Sequence, residues 1–161
     1  MKTIRTLAAG AVVLGTVAIV QQVYIVTSPR PQQVLNYPEQ HVLNREDGQP
    51  VVHVGQELRV QGTKCNEGDV PVAVHGVTSW VSIDPPGTTL DTGSGVSVRK
   101  PGCEVRTYSN QLPDLVVSRT VVLTAELGTK CVTWRITGRE EPVSPLFLPA
   151  TWQSEPFDLC R

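Results

Sequence analysis

The sequence predicts an all-β fold, and three observations carry that expectation. Valine and threonine number 26 and 16 among 161 residues, against 7 alanines and 1 methionine. Such a chain is rich in β-branched residues and poor in helix formers. Beyond residue 50, apolar residues recur with a period of two, as in half-buried strands. Of the 13 glycines and 13 prolines, 10 and 9 fall beyond residue 50 and interrupt that pattern at short intervals, where turns between strands belong. The length suits one domain with attachments. A net charge of −1 lacks the basic excess of a nucleic-acid-binding domain, so nucleic acid is not an expected partner.

The N-terminus stands apart. Met1–Arg5 carries Lys2 and Arg5, and no charge follows until Arg30. Within residues 6–26, 15 of 21 side chains are apolar. As a helix, 21 residues span roughly 31 Å, the thickness of a bilayer core. Gln21 and Gln22 fall near its far end, at headgroup depth, with Tyr24 in the interfacial aromatic belt. A cleaved signal peptide is the competing reading, with Leu7–Val17 as its apolar region and Thr16-Val17-Ala18 as its cleavage site. The apolar run continues past Ala18 to Val26, which favours a retained anchor. Residues 1–5 then form a cytoplasmic n-region, residues 6–26 a transmembrane signal-anchor in the lipid bilayer, and the remainder lies outside the cell membrane, because Lys2 and Arg5 stay inside.

Residues 27–50 read as a Pro-rich linker, with Pro29, Pro31, Pro38 and Pro50 removing backbone donors. Fully extended, it would reach at most roughly 80 Å. Short strands at Val34-Leu35 or Val42-Leu43 are weakly signalled.

The folded domain is expected over residues 51–161. Leu58 and Val60 alternate with Glu57, Arg59 and Gln61, and Val70, Val72 and Val74 alternate likewise. Trp80–Ile83 runs into the breaker Asp84-Pro85-Pro86-Gly87. Val96 and Val98 alternate with Ser97 and Arg99 before Lys100-Pro101-Gly102 turns the chain. Glu104–Tyr108 forms the next strand, ended by Asn110-Gln111-Leu112-Pro113. Val116–Leu127, the longest apolar run, reads as one long strand or two short ones. Val132, Trp134 and Ile136 alternate with Cys131, Thr133, Arg135 and Thr137, and Phe157 and Leu159 close the chain. Seven to nine short strands within 111 residues describe an immunoglobulin-like antiparallel β-sandwich, preceded by one N-terminal transmembrane helix. Trp80, Trp134, Ile136 and Phe157 are the expected core.

Cys65, Cys103, Cys131 and Cys160 all fall in the folded part. No Cys-x-x-Cys occurs and His41, His53 and His75 are scattered, so zinc is poorly supported. An extracytoplasmic chain with four cysteines defaults to two disulfides. Strand parity turns Cys131 and Cys160 outward, opposite Trp134 and Leu159, which favours Cys131–Cys160 and leaves Cys65–Cys103. The tetrapeptide Gly-Thr-Lys-Cys occurs at Gly62–Cys65 and again at Gly128–Cys131, with unalignable flanks; a turn feeding a cysteine accounts for both.

Motifs for chemistry are sparse. Asp91-Thr92-Gly93 resembles the catalytic loop of aspartic proteases, whose paired aspartates activate water. Pro85-Pro86-Gly87 and the polar Thr88-Thr89 interrupt the strand that should deliver Asp91, so a polar hairpin loop is the preferred reading. Asp84, Asp91 and Glu67-Gly68-Asp69 read as solvated turn carboxylates rather than a calcium site. No phosphate loop, nucleophile elbow or His-Glu-x-x-His is present. No cofactor is expected.

Thr63-Lys64-Cys65-Asn66, Gly102-Cys103, Asn110-Gln111-Leu112-Pro113, Trp134-Arg135-Ile136-Thr137-Gly138 and Trp152…Glu155-Pro156-Phe157 together resemble small single-pass membrane proteins encoded by phages of actinobacteria. The resemblance covers most of residues 63–157 and implies a membrane-tethered β domain of unassigned role. The expected function is therefore a non-enzymatic, membrane-anchored extracytoplasmic module that binds a protein or envelope partner. A secreted or virion-associated structural domain is the alternative if the N-terminus is cleaved. An enzyme using Asp91 is a distant third.

Overall fold

A computed structural model describes residues 30–161. The expected n-region, the transmembrane helix over 6–26 and linker residues 27–29 lie outside the described residues. Among the described residues, no helix is long and apolar enough to cross a membrane. Gln32–Arg161 forms one unit of eleven strands and one helix. In chain order these are β1 (Leu35–Asn36), β2 (His41–Val42), β3 (Arg45–Glu46), β4 (Gln49–His53), β5 (Glu57–Asn66), β6 (Val72–Asp84), β7 (Pro86–Arg99), β8 (Gly102–Gln111), α1 (Asp114–Leu127), β9 (Cys131–Pro142), β10 (Ala150–Gln153) and β11 (Phe157–Cys160).

Two sheets result. In the smaller, β5 pairs along one edge with β8 and along the other with β1 and β2. The larger runs β3-β4-β11-β9-β6-β7, with β10 beside β9. Every pairing is antiparallel except β4 with β11, which is parallel. The expectation of a purely antiparallel arrangement is corrected accordingly: the large sheet is mixed, because the C-terminal strand inserts between β4 and β9.

The period of two decides what is buried. On β9, Val132, Trp134, Ile136, Gly138 and Glu140 turn inward while their neighbours are partly or fully exposed. Trp80 on β6 meets Trp134 and Phe157 edge-on, with ring centroids 6.2 and 5.5 Å away, the arrangement aromatic quadrupoles favour. Val42, Leu58 and Val60 of the small sheet share this core, as do Val116 and Leu123 of α1. A second cluster joins Val34, Leu35 and Tyr37 to Val72, Val74 and Ala150. Cys65 is bonded to Cys103, and Cys131 to Cys160. Each bond joins register partners on adjacent strands of one sheet, β5–β8 and β9–β11.

Three further expectations are corrected. Val116–Leu127 is not strand but the body of α1. Its β-branched residues favour strand locally, yet Val116, Thr120, Leu123 and Thr124 recur at helical spacing and are buried. Asp114 follows Pro113 at the start, and Gly128 stops the helix with φ of 66° while its N–H bonds to the Thr124 carbonyl. Residues 32–50, read as linker, belong to the folded unit: β1 and β2 pair with β5, and Gln32 and Gln40 bridge to Phe147 and Ser154. Prolines here occupy short strands and their margins, where few ladder donors are required. Finally, Gly62 is not a turn residue but lies mid-strand in β5. A Cβ there would stand 1.1 Å from the Gln40 side chain, which crosses it buried and donates to the Pro38 carbonyl at 2.7 Å.

Candidate functional site

The register of the β6–β7 hairpin creates the site. Residues directly opposite in an antiparallel pair share a face. Inward-facing Val72, Val74, Gly76 and Thr78 stand opposite Arg99, Ser97, Gly95 and Gly93. From Gly93 to Arg99 the inner face of β7 is thus glycine, serine and one arginine. Val96 and Val98, whose alternation marks the strand correctly, face solvent instead, 73% and 58% exposed. Facing sheets lie about 10 Å apart and are normally filled by interdigitating side chains. Gly76, Gly93, Gly95 and Ser97 bring almost none, and a cleft of about 580 Å³ remains. Leu58, Val60, Tyr108 and Asn110 from β5 and β8 form its other wall, over Trp80 and Ile136. β7 and β8 are its rims, and each is the outermost strand of its sheet.

A charged cluster lines one end. Glu140 is 3% exposed. Its carboxylate accepts hydrogen bonds from Tyr37 Oη at 2.6 Å, Lys64 Nζ at 2.6 Å and Arg99 Nε at 2.7 Å, with Arg99 Nη2 as a fourth donor. Lys64 Nζ also lies 5.3 Å from the Tyr37 ring centroid and 5.0 Å from that of Trp152, within cation–π range. The Trp152 indole reaches this position by lying against Gly138, where a Cβ would fall 2.1 Å from the ring.

Burial works to raise the Glu140 pKa, but hydrogen bonds from Arg99, Lys64 and Tyr37 overcome it and hold the carboxyl at about 2. Burial lowers the Lys64 pKa, opposed by Glu140. The Tyr37 hydroxyl is pushed up by burial and then by the carboxylate, and the Arg99 pKa is raised chiefly by its hydrogen bonds to Glu140. Two cations therefore share one carboxylate, and the cluster holds one positive charge in excess.

Trp80, Trp134, Ile136 and Phe157 are all buried, and Trp80 and Ile136 also line the cleft. Asp91 is not in a hairpin loop. It lies within β7 opposite Ser79, beside a bulge, and accepts a 2.6 Å hydrogen bond from the Ser79 hydroxyl. It faces away from the cleft residues Gly93 and Gly95. Asp84 ends β6, and the Glu67 carboxylate accepts from Asn36 at 2.8 Å. Among the described residues, no three His, Cys, Asp or Glu side chains gather as metal ligands.

Sequence reasoning missed Tyr37, Lys64, Arg99 and Glu140 as a group. One signal was available: continuing the inward parity of Trp134 and Ile136 along the strand puts Glu140 inside, where a carboxylate requires cationic partners.

No family model matches the sequence, and no curated protein matches it. Among solved structures, the chain is similar to the alkylpurine DNA glycosylase AlkC of Pseudomonas fluorescens bound to DNA containing an abasic-site analog (10% identity, TM-score 0.47, 86% of this chain and 33% of that one). It is also similar to a protein from Archaeoglobus fulgidus (11%, TM-score 0.42, 79% and 94%). A third is a β-glucosidase from Kluyveromyces marxianus (12%, TM-score 0.32, 74% and 15%). This chain thus spans about a third of the glycosylase. Likenesses this slight bear on neither mechanism nor partner.

Proposed function

We propose that the chain is a membrane-anchored extracytoplasmic binding module that docks a ligand in the cleft between β7 and β8 and performs no chemistry on it. The observation that carries this reading is the cleft itself, an apolar floor with a cationic end between two outermost strands. Pockets of this kind, mostly apolar with a few convergent polar groups, are the usual form of binding sites. The scaffold is read as an immunoglobulin-like sandwich, supported by two sheets sharing an aromatic core. Two disulfides support an oxidising compartment. The charge-free run from Thr6 to Pro29 supports the anchor.

The test uses the full chain. A Cβ at Gly95 meets nothing within 4 Å, so Gly95→Phe can put a ring into the cleft without a backbone clash. Wild-type chain immobilised against envelope extract is expected to retain a saturable ligand, and Gly95→Phe to retain at least tenfold less at unchanged thermal stability. Equal retention by both overturns the cleft as the site. Release of the chain from membranes by carbonate washing overturns the anchor.

A further inference from the structure

We infer that the ligand is an extended peptide of a partner protein that adds as a strand to the free edge of β7 and directs an acidic side chain to the Lys64–Arg99 end of the cleft. This rests on the reading of the cleft as a binding site and names its occupant. Among the described residues, the large sheet ends in β3 at one side and β7 at the other. β3 offers two residues, whereas β7 offers fourteen. Exposed edges are ordinarily blunted by lysine, proline or charge, because their free N–H and C=O groups otherwise recruit another strand. From Thr89 to Val98 there is no proline and no lysine, and the one charged residue, Asp91, is hydrogen-bonded to Ser79. The β8 edge differs, since Glu104 and Arg106 place a 2.7 Å ion pair on it.

Strand addition and the cleft fit one ligand. Thr92–Val98 spans seven residues, about 23 Å of strand at roughly 3.3 Å each. Side chains of an added strand alternate between faces, so every second one turns into the cleft, where Gly93, Gly95 and Ser97 leave room. Those on the other face lie beside exposed Val96 and Val98. At the end of this edge, Arg99 and Lys64 share, among the described residues, only the Glu140 carboxylate. A second carboxylate there neutralises the excess cation in a partly desolvated place, where charge-assisted hydrogen bonds are strongest.

The experiment selects a randomised seven-residue peptide library against the oxidised full chain in detergent. Enriched peptides are expected to alternate apolar residues and to carry aspartate or glutamate at one end. Changing that acid to its amide in the peptide is expected to weaken binding at least tenfold, a substitution that leaves the protein untouched. Amide exchange is expected to slow across residues 89–98 of β7, and not in β3. Peptides indifferent to the acid, protection confined to β8, or protection of β7 by self-association of the chain would each overturn the proposal. If no peptide is enriched while Gly95→Phe still abolishes envelope binding, the cleft stands and the peptide falls. If both results are negative, both readings fall.

Discussion

Glu140 is the buried charge on which the packing at the cleft end depends. Its carboxylate gathers Tyr37 from the N-terminal segment, Lys64 from the small sheet and Arg99 from β7. Removing it leaves Lys64 and Arg99, each with side chains about 15% exposed, facing one another unneutralised. Breaking a buried ion pair by deleting one partner typically costs about 3–5 kcal/mol, and Glu140→Gln is expected to lose stability in that range in urea unfolding. The acid dependence follows from the direction of the shift. A carboxyl held at about 2 when folded and near its ordinary value when unfolded adds stability that is complete above the unfolded pKa. That stability is lost as pH falls through the folded one. The contribution is about 3 kcal/mol, disappearing between about pH 5 and pH 2. Lys64 and Arg99 stay protonated throughout that window. Stability measured from unfolding curves at successive pH values should therefore fall more steeply in acid for the wild type than for Glu140→Gln. Equal acid slopes in the two proteins would contradict this account.

At the scale of elements, α1 is held by a polar bond in an apolar setting. Thr120 Oγ1 accepts from the Trp134 indole N–H at 3.0 Å and donates to the Val116 carbonyl at 2.8 Å. Thr120→Val preserves shape but strands the indole donor at a residue 0% exposed, so a loss of about 1–3 kcal/mol is expected. Gly128→Ala should cost about 1 kcal/mol, because the stop at φ of 66° places a Cβ in the left-handed region. Both changes should lower the urea midpoint with little change in slope. The same helix shows where sequence was legible and where it was not. Local composition favoured strand, with Val116, Val117, Thr120, Val121, Val122 and Thr124 all β-branched. Only the Pro113 and Gly128 boundaries and the burial of positions three and four apart decide for helix. Strands β5, β6 and β9 were readable because one face of each is buried, which makes alternation visible. On β7 alternation was visible but its sense was not: pairing with β6 turns the valines out and the glycines in. Residues 32–50 looked like spacer because their strands are two to five residues long. The site was illegible for a further reason. Residues 64, 99 and 140 meet only through the register of separate strands, Tyr37 joins them from the segment just after β1, and the glycines that open the cleft look in sequence like turns.

For the molecule as a whole, the two disulfides close loops of similar length but hold different parts of the structure. Their sequence separations are 38 and 29 residues, and loop-closure entropy alone assigns each about 3.5–4 kcal/mol. Cys131–Cys160 ties the C-terminal strand β11 into the interior of the large sheet, between β4 and β9, where Phe157 and Leu159 are buried in the shared core. Losing that strand removes the core on both sides of it, so Cys131→Ala/Cys160→Ala should lower global stability by about the full amount. Cys65–Cys103 instead ties the outermost strand β8, exposed along its whole length, to β5. An edge strand with no buried residue of its own opens locally before the molecule unfolds. In Cys65→Ala/Cys103→Ala, amide exchange should therefore accelerate across residues 102–111 well beyond its change in β9. The cleft would lose the wall formed by Arg106, Tyr108 and Asn110, and ligand retention should fall even at temperatures where the core remains folded. Uniform acceleration across β8 and β9 would mean that the two sheets unfold as one unit, and that the cleft wall is no more mobile than the core it covers.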